Sequence, residues 1–155
     1  MKSFKQAIIM GGTGAIAVFF ASYLGILTWV LFVAWVSYYL FGANVKTAAL
    51  TLIQQTLGIC IAIIIQYAGI YLSEYSSFLG FPIAVLLVMI GVFYISKLKF
   101  LNNTPAYFLG MIVWFGADTD IALINATWLV TTLFLGYLFA WINLALSNRI
   151  EPKSI

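Results

Sequence analysis

The chain has 155 residues, of which 65% are hydrophobic and 7% are charged, and its formal net charge is +3. An ordinary soluble domain carries about 25% charged residues, so this composition excludes a typical water-soluble globular protein. The basic residues occur as scattered singles and pairs at the ends of apolar runs, which argues against a nucleic-acid-binding protein.

Charge-free intervals divide the chain in a way typical of an all-α, polytopic transmembrane helix bundle. A hydrocarbon core about 30 Å thick needs roughly 20 apolar residues per helix, so the interval from Lys5 to Lys46 can hold two short spans and each later interval one. We predict a single integral membrane domain over residues 1–155. Its six spans are predicted at about residues 7–22, 26–41, 46–70, 78–96, 105–117 and 121–146.

The first two spans form one apolar block that is too long for a single helix. Ser22 and Gly25 favour a tight turn that divides this block. Upstream of the turn, Gly11 and Gly14 lie along one side of the first span. Small residues in such a position predict that neighbouring helices approach this side closely.

The third span carries a stripe of small and polar residues within about an 80° arc at the helical period of 3.6. The stripe consists of Asn44, Ala48, Thr51, Gln55, Gly58, Ala62, Gln66, Gly69 and Ser73. The last span repeats the pattern more weakly with Asn125, Thr132, Gly136 and Asn143. Both stripes suit the lining of a pore, and both equally suit helix packing with interhelical hydrogen bonds. A polar cavity across the bundle would favour transport, whereas tight filling of both stripes would favour packing.

The fifth span is short and begins at a helix-start motif, with Thr104 as the predicted cap and Pro105 at the first helical position. At a rise of about 1.5 Å per residue, residues 105–117 reach only about 20 Å, so this segment either crosses a thinned bilayer or is re-entrant. Gly110 and Gly116 complete its motif.

Two acidic residues, Asp118 and Asp120, follow the short helix. They suit either a cation-attracting mouth in an oligomer or a solvated loop, and we favour the loop.

The charges also predict an orientation. Six spans with a cytoplasmic N-terminus place all seven basic residues on the cytoplasmic side, and they place Glu74, Asp118 and Asp120 on the opposite side. Only Glu151 goes against this trend. We therefore expect both termini in the cytoplasm. A re-entrant fifth segment would move the C-terminus outside and break the charge rule.

Several short motifs resemble those of the DUF1097 family of small bacterial inner-membrane proteins of unknown function. They lie in Gly42 to Gly69, in Leu79-Gly80-Phe81 leading to Ser96-Lys97-Leu98, and in residues 105–110 with Phe115 and Gly116 following. The resemblance implies a multi-pass protein of the bacterial cytoplasmic membrane. It implies no particular substrate and no catalytic residues.

The sequence favours a small channel or facilitator for a small polar, neutral solute, acting in the lipid bilayer as a homo-oligomer. The alternative is a non-transporting membrane accessory or assembly protein whose polar stripes are helix-packing contacts. We predict no enzymatic activity, cofactor or metal site, because the chain has no histidine, one cysteine and no evident pair of facing acids.

Overall fold

The computed structural model describes residues 2–150, so Glu151 and Lys153 of the predicted cytoplasmic tail lie outside the described residues. Within that range the chain forms six α-helices and no β-strand, which confirms the all-α fold. The helices are α1 (Lys2–Leu24), α2 (Thr28–Leu40), α3 (Val45–Ser73), α4 (Gly80–Ile95), α5 (Thr104–Ala117) and α6 (Leu123–Ile150).

Three of the helices are long and apolar enough to cross a membrane: Ser3–Leu24 within α1, Val45–Ser73 and Leu123–Ile150. The other three, α2, α4 and α5, are apolar but have only 13, 16 and 14 residues. Apolar helices of these lengths are compatible with a membrane protein. Each of the six helices overlaps one of the six predicted segments, although α1, α3 and α6 extend a few residues beyond the predicted ends.

Local signals in the sequence explain two of the helix boundaries. Gly25 adopts a left-handed conformation, with φ of +66°, directly after α1. The amide of Ile26 then donates to the carbonyl of Ala21 at 3.0 Å, as in a Schellman ending. At the start of α3, the Asn44 side chain accepts a hydrogen bond from the Thr47 amide at 3.0 Å and caps the helix.

The chain divides into two compact units. One consists of Met1–Ala49 and Thr127–Ile155 and is called the terminal unit here; the other is Leu50–Ala126, the central unit. In the terminal unit, Ala17, Ala21 and Leu31 are completely buried and Phe139 packs against them. Gly136 of α6 lies so close to α2 that a Cβ atom there would overlap the carbonyl oxygen of Leu31. Small residues thus allow close helix packing in this unit.

In the central unit, α4 runs antiparallel to the helices on either side of it. Gly80 at the start of α4 contacts the backbone of Ser73 at the end of α3. The ring centroids of Phe81 and Phe115 are 6.1 Å apart, so the start of α4 also meets the end of α5. The short α5 therefore runs back beside α4, parallel to the central part of α3, and its end lies beside the start of α4.

This helix order separates the charges of the central unit. Glu74, Asp118 and Asp120 follow the carboxyl ends of α3 and α5, whereas Lys97 and Lys99 follow the carboxyl end of α4. The acidic residues therefore lie at one end of the unit and the basic residues at the other.

Candidate functional site

The predicted stripe on α3 forms the contact with α5. A Cβ atom at Gly58 would overlap the carbonyl oxygen of Tyr107 and lie 3.0 Å from the Cα atom of Gly110. Reciprocally, a Cβ atom at Gly110 would overlap the carbonyl oxygen of Gln55. The two backbones touch at this point, and the Gln55 side chain is completely buried. Small residues on both helices make this approach possible.

Further along the same stripe, Gln66 is hydrogen-bonded to α5. The indole Nε1 of Trp114 donates to the Gln66 Oε1 atom at 2.6 Å. Trp114 is 1% exposed, so its indole N–H needs a protein partner, and Gln66 supplies it. Gly69, one turn later, is buried, and a Cβ atom there would overlap the Phe81 ring. The α3 stripe is thus filled by side chains and backbone of α5 and α4 at three successive levels.

Sequence reasoning missed Gln54, which is 2% exposed. Its Nε2 atom donates to the carbonyl oxygen of Phe100 at 2.8 Å, while the Tyr107 hydroxyl donates to the carbonyl oxygen of Leu101 at 2.9 Å. These two bonds hold the segment between α4 and α5, which also carries Lys99. The Gln54 Oε1 atom is buried without a hydrogen-bond partner within residues 2–150. The only feature of the sequence that points to Gln54 is its position next to Gln55 in α3.

A second polar cluster, in the terminal unit, is centred on Asn143 of α6, which is 5% exposed. The Tyr39 hydroxyl of α2 donates to Asn143 Oδ1, and Asn143 Nδ2 donates to the Thr13 hydroxyl of α1, both at 2.6 Å. Thr13 in turn donates to the carbonyl oxygen of Ile9 at 2.7 Å. Tyr39 is 41% exposed, so the cluster joins the surface of the terminal unit to its interior. The sequence identified Asn143 but neither Thr13 nor Tyr39.

The remaining stripe residues have local roles. Thr132 is buried and donates to the carbonyl oxygen of Trp128 on its own helix, a bond typical of threonine within helices. Thr51 is buried in the central unit. Asn125 donates to the carbonyl oxygen of Asp120 at 2.9 Å and orders the loop before α6. Asn44, Ala48 and the stripe residues of α6 from Thr132 onward thus belong to the terminal unit, whereas the other predicted stripe residues belong to the central unit.

The short-helix motif is only partly buried. Pro105 lies in the first turn of α5, as predicted, but the capping position is Asn103 and not Thr104, and no side chain makes a capping hydrogen bond. Gly110 is buried against α3, whereas Gly116 near the other end of α5 is exposed. The glycines of the first span also differ from expectation, because a Cβ atom at Gly11 or Gly14 would meet no atom within 4 Å.

The acidic residues after α5 are exposed. Asp118 ends the helix in a left-handed conformation with φ of +47°, and the backbone of Asp120 accepts the hydrogen bond from Asn125. Among residues 2–150, no three His, Cys, Asp or Glu side chains are grouped in a way that could hold a metal ion.

No curated protein and no solved structure matches the chain. A family model described as "Protein of unknown function (DUF1097)" matches residues 7–147, which include all the helices except the ends of α1 and α6. The match contains the α3 stripe, the short-helix motif, Gln54 and the polar cluster around Asn143. The chain therefore belongs to the DUF1097 family.

Proposed function

We propose that this protein is a multi-pass membrane accessory or assembly protein whose polar stripes are helix-packing contacts. The observation that carries the proposal is the contact between α3 and α5, where Gly58 and Gly110 bring two backbones together. About two helical turns further along α3, Gln66 is hydrogen-bonded to Trp114 of α5. A stripe that lines a wet path would instead present its polar groups to open space.

Six crossings of a bacterial cytoplasmic membrane, with both termini inside, are part of the proposal. The end of α5 lies beside the start of α4, which supports a crossing fifth helix, because a re-entrant segment would turn back before that level. The separation of Lys97 and Lys99 from the acidic residues of the central unit agrees with the positive-inside rule. We propose no catalytic role, since the chain has no histidine and Glu74, Asp118 and Asp120 follow helix ends.

A channel or facilitator for a small neutral polar solute is the second candidate. The cluster of Tyr39, Asn143 and Thr13 favours it, because this cluster connects a partly exposed hydroxyl to buried polar groups. Such a chain of donors and acceptors can replace part of the hydration shell of a solute. A homo-oligomer in the bilayer is compatible with either candidate.

Flux into liposomes separates the two candidates. The purified protein is reconstituted and tested with a panel of neutral solutes and monovalent ions, alongside the Gln55→Leu and Gln66→Leu variants and protein-free liposomes. The accessory role predicts that the wild-type protein gives no flux above protein-free liposomes. It also predicts lower stability for both variants, with about 0.6 kcal/mol of the loss in Gln66→Leu coming from its interhelical hydrogen bond to Trp114. Solute flux that both variants abolish without loss of stability would replace the accessory role with the channel.

A further inference from the structure

An apolar groove runs between α4 and α5 in the central unit, with α3 behind it. Its volume is about 540 Å³, and its lining consists of Ile65, Val85, Met89, Phe108, Met111, Ile112, Phe115 and Gly116. Ile65 and Met111 are buried at its base, whereas Phe108, Ile112 and Phe115 are 41–54% exposed along its edge. A polar solute would find no side-chain hydrogen-bond partner there, so the groove suits a hydrocarbon chain.

A stripe on α4 connects the groove to a positive charge. Val85 and Met89 line the groove, and Phe93 continues the same helical face four residues later. Lys97 follows directly after the end of α4. The Lys97 Nζ atom lies 4.4 Å from the centroid of the Phe93 ring, so a cation–π contact holds the amine beyond the groove. Lys99 lies two residues further on and is exposed. An anionic group can therefore meet two amines at this end of the groove.

The opposite end of the groove repels an anion. Gly116 lines it there, and the exposed Asp118 and Asp120 follow directly in the chain. The contact between the Phe81 and Phe115 rings covers the same end of α4 and α5. A ligand with one anionic end and one apolar end consequently fits this groove in a single orientation, with its charge at Lys97 and Lys99.

We propose that the central unit binds an anionic phospholipid, with an acyl chain in the groove and the phosphate at Lys97 and Lys99. A zwitterionic lipid of the same chain length can place its acyl chain in the groove, but its headgroup carries no net charge to attract the amines. This binding site goes beyond the proposed function, because it applies equally to an accessory protein and to a channel.

Native mass spectrometry of the protein in detergent tests the proposal. The protein is titrated with phosphatidylglycerol and, separately, with phosphatidylcholine of identical acyl chains, and the lipid-bound fraction is measured. We expect tighter binding of phosphatidylglycerol. The Lys97→Gln and Lys99→Gln variants should each weaken it about fivefold, which corresponds to about 1 kcal/mol per basic residue near an anionic surface. Lys46→Gln removes the same charge at the start of α3 and should leave the affinity unchanged.

Two matched substitutions test the groove itself. Ile112→Trp places a bulky indole ring at the edge of the groove and should weaken binding of both lipids. Ile90→Trp changes an exposed α4 residue outside the lining and should leave binding of both lipids unchanged. Thermal unfolding of both variants shows whether they remain folded. Since Lys97 and Lys99 are exposed, their variants test the headgroup site even if Ile112→Trp unfolds.

Four results would overturn the proposal. Equal phosphatidylglycerol affinity in the Lys97, Lys99 and Lys46 variants would remove the headgroup site. Equal effects of two folded tryptophan variants would remove the groove. Displacement of the lipid by glycerol 3-phosphate would show that the surface binds a soluble anion. A lipid-free dimer that excludes both lipids would show that the surface binds a second copy of the chain. None of these results depends on the liposome flux that tests the proposed function.

Discussion

The replacement of Gly58 by alanine is the most direct test of the contact between α3 and α5. The new methyl group would overlap the carbonyl oxygen of Tyr107 and lie 3.0 Å from the Cα atom of Gly110. Both atoms belong to the backbone of α5, so no side chain can rotate away to make room. The two helices must separate, and the hydrogen bond between Gln66 and Trp114 on the same pair of helices would be strained.

Two opposing free energies decide the size of the effect. Alanine is more favourable than glycine within a helix by about 0.5–1 kcal/mol, because it reduces the backbone entropy lost on folding. Overpacking a close contact costs about 1–3 kcal/mol, and a clash with backbone should fall in the upper part of this range. We therefore expect Gly58→Ala to lower the free energy of unfolding by about 1–2 kcal/mol, and Gly58→Leu to lower it further.

Gly91→Ala is the matched control. Gly91 lies within α4, and a Cβ atom there would meet nothing within 4 Å, so the substitution should stabilise the protein by about 0.5–1 kcal/mol. Subtracting the change in unfolding free energy of Gly91→Ala from that of Gly58→Ala cancels the intrinsic helix preference of alanine over glycine and leaves the packing cost at Gly58. Denaturant and thermal unfolding in detergent micelles measure both. If Gly58→Ala is as stable as Gly91→Ala, the α3 stripe does not pack against α5 as described.

Three further predictions concern hydrogen bonds and topology. Trp114→Phe removes the donor to Gln66 and should lower the free energy of unfolding by about 0.6 kcal/mol, plus the contribution of the lost ring area. The double variant with Gln66→Leu should lose less stability than the sum of the two single variants. If the two losses are fully additive in this double-mutant cycle, the hydrogen bond contributes nothing. Tyr39→Phe leaves the asparagine oxygen of the second polar cluster without its donor and should lower the free energy of unfolding by about 1 kcal/mol, and unchanged unfolding would contradict that role. In cells, a cysteine replacing Ser76 should react with an impermeant thiol reagent applied from the periplasm, whereas a cysteine replacing Asn102 should not. The reverse labelling pattern would refute the proposed orientation.

The sequence alone determined which segments become helices and which face of α3 is buried. Charge-free intervals set the six helices, because unpaired charges are expensive in hydrocarbon. Gly25 set the turn after α1, because its backbone accepts a positive φ without steric cost. The period of 3.6 placed Gln55 and Gly58 on one face, and burial of that face followed from their unsuitability for lipid.

Only the tertiary structure decided which helix covers that face. A row of small residues permits a close approach but does not specify the partner, so the α3 stripe with Gly58 and the α1 face with Gly11 looked alike in sequence. In the folded chain the first is closed by α5 and the second is open. Gln54 could not be assigned for a related reason, because its partner is the backbone carbonyl of Phe100. A backbone carbonyl is present at every residue, and only the path of the chain brings this one to the glutamine.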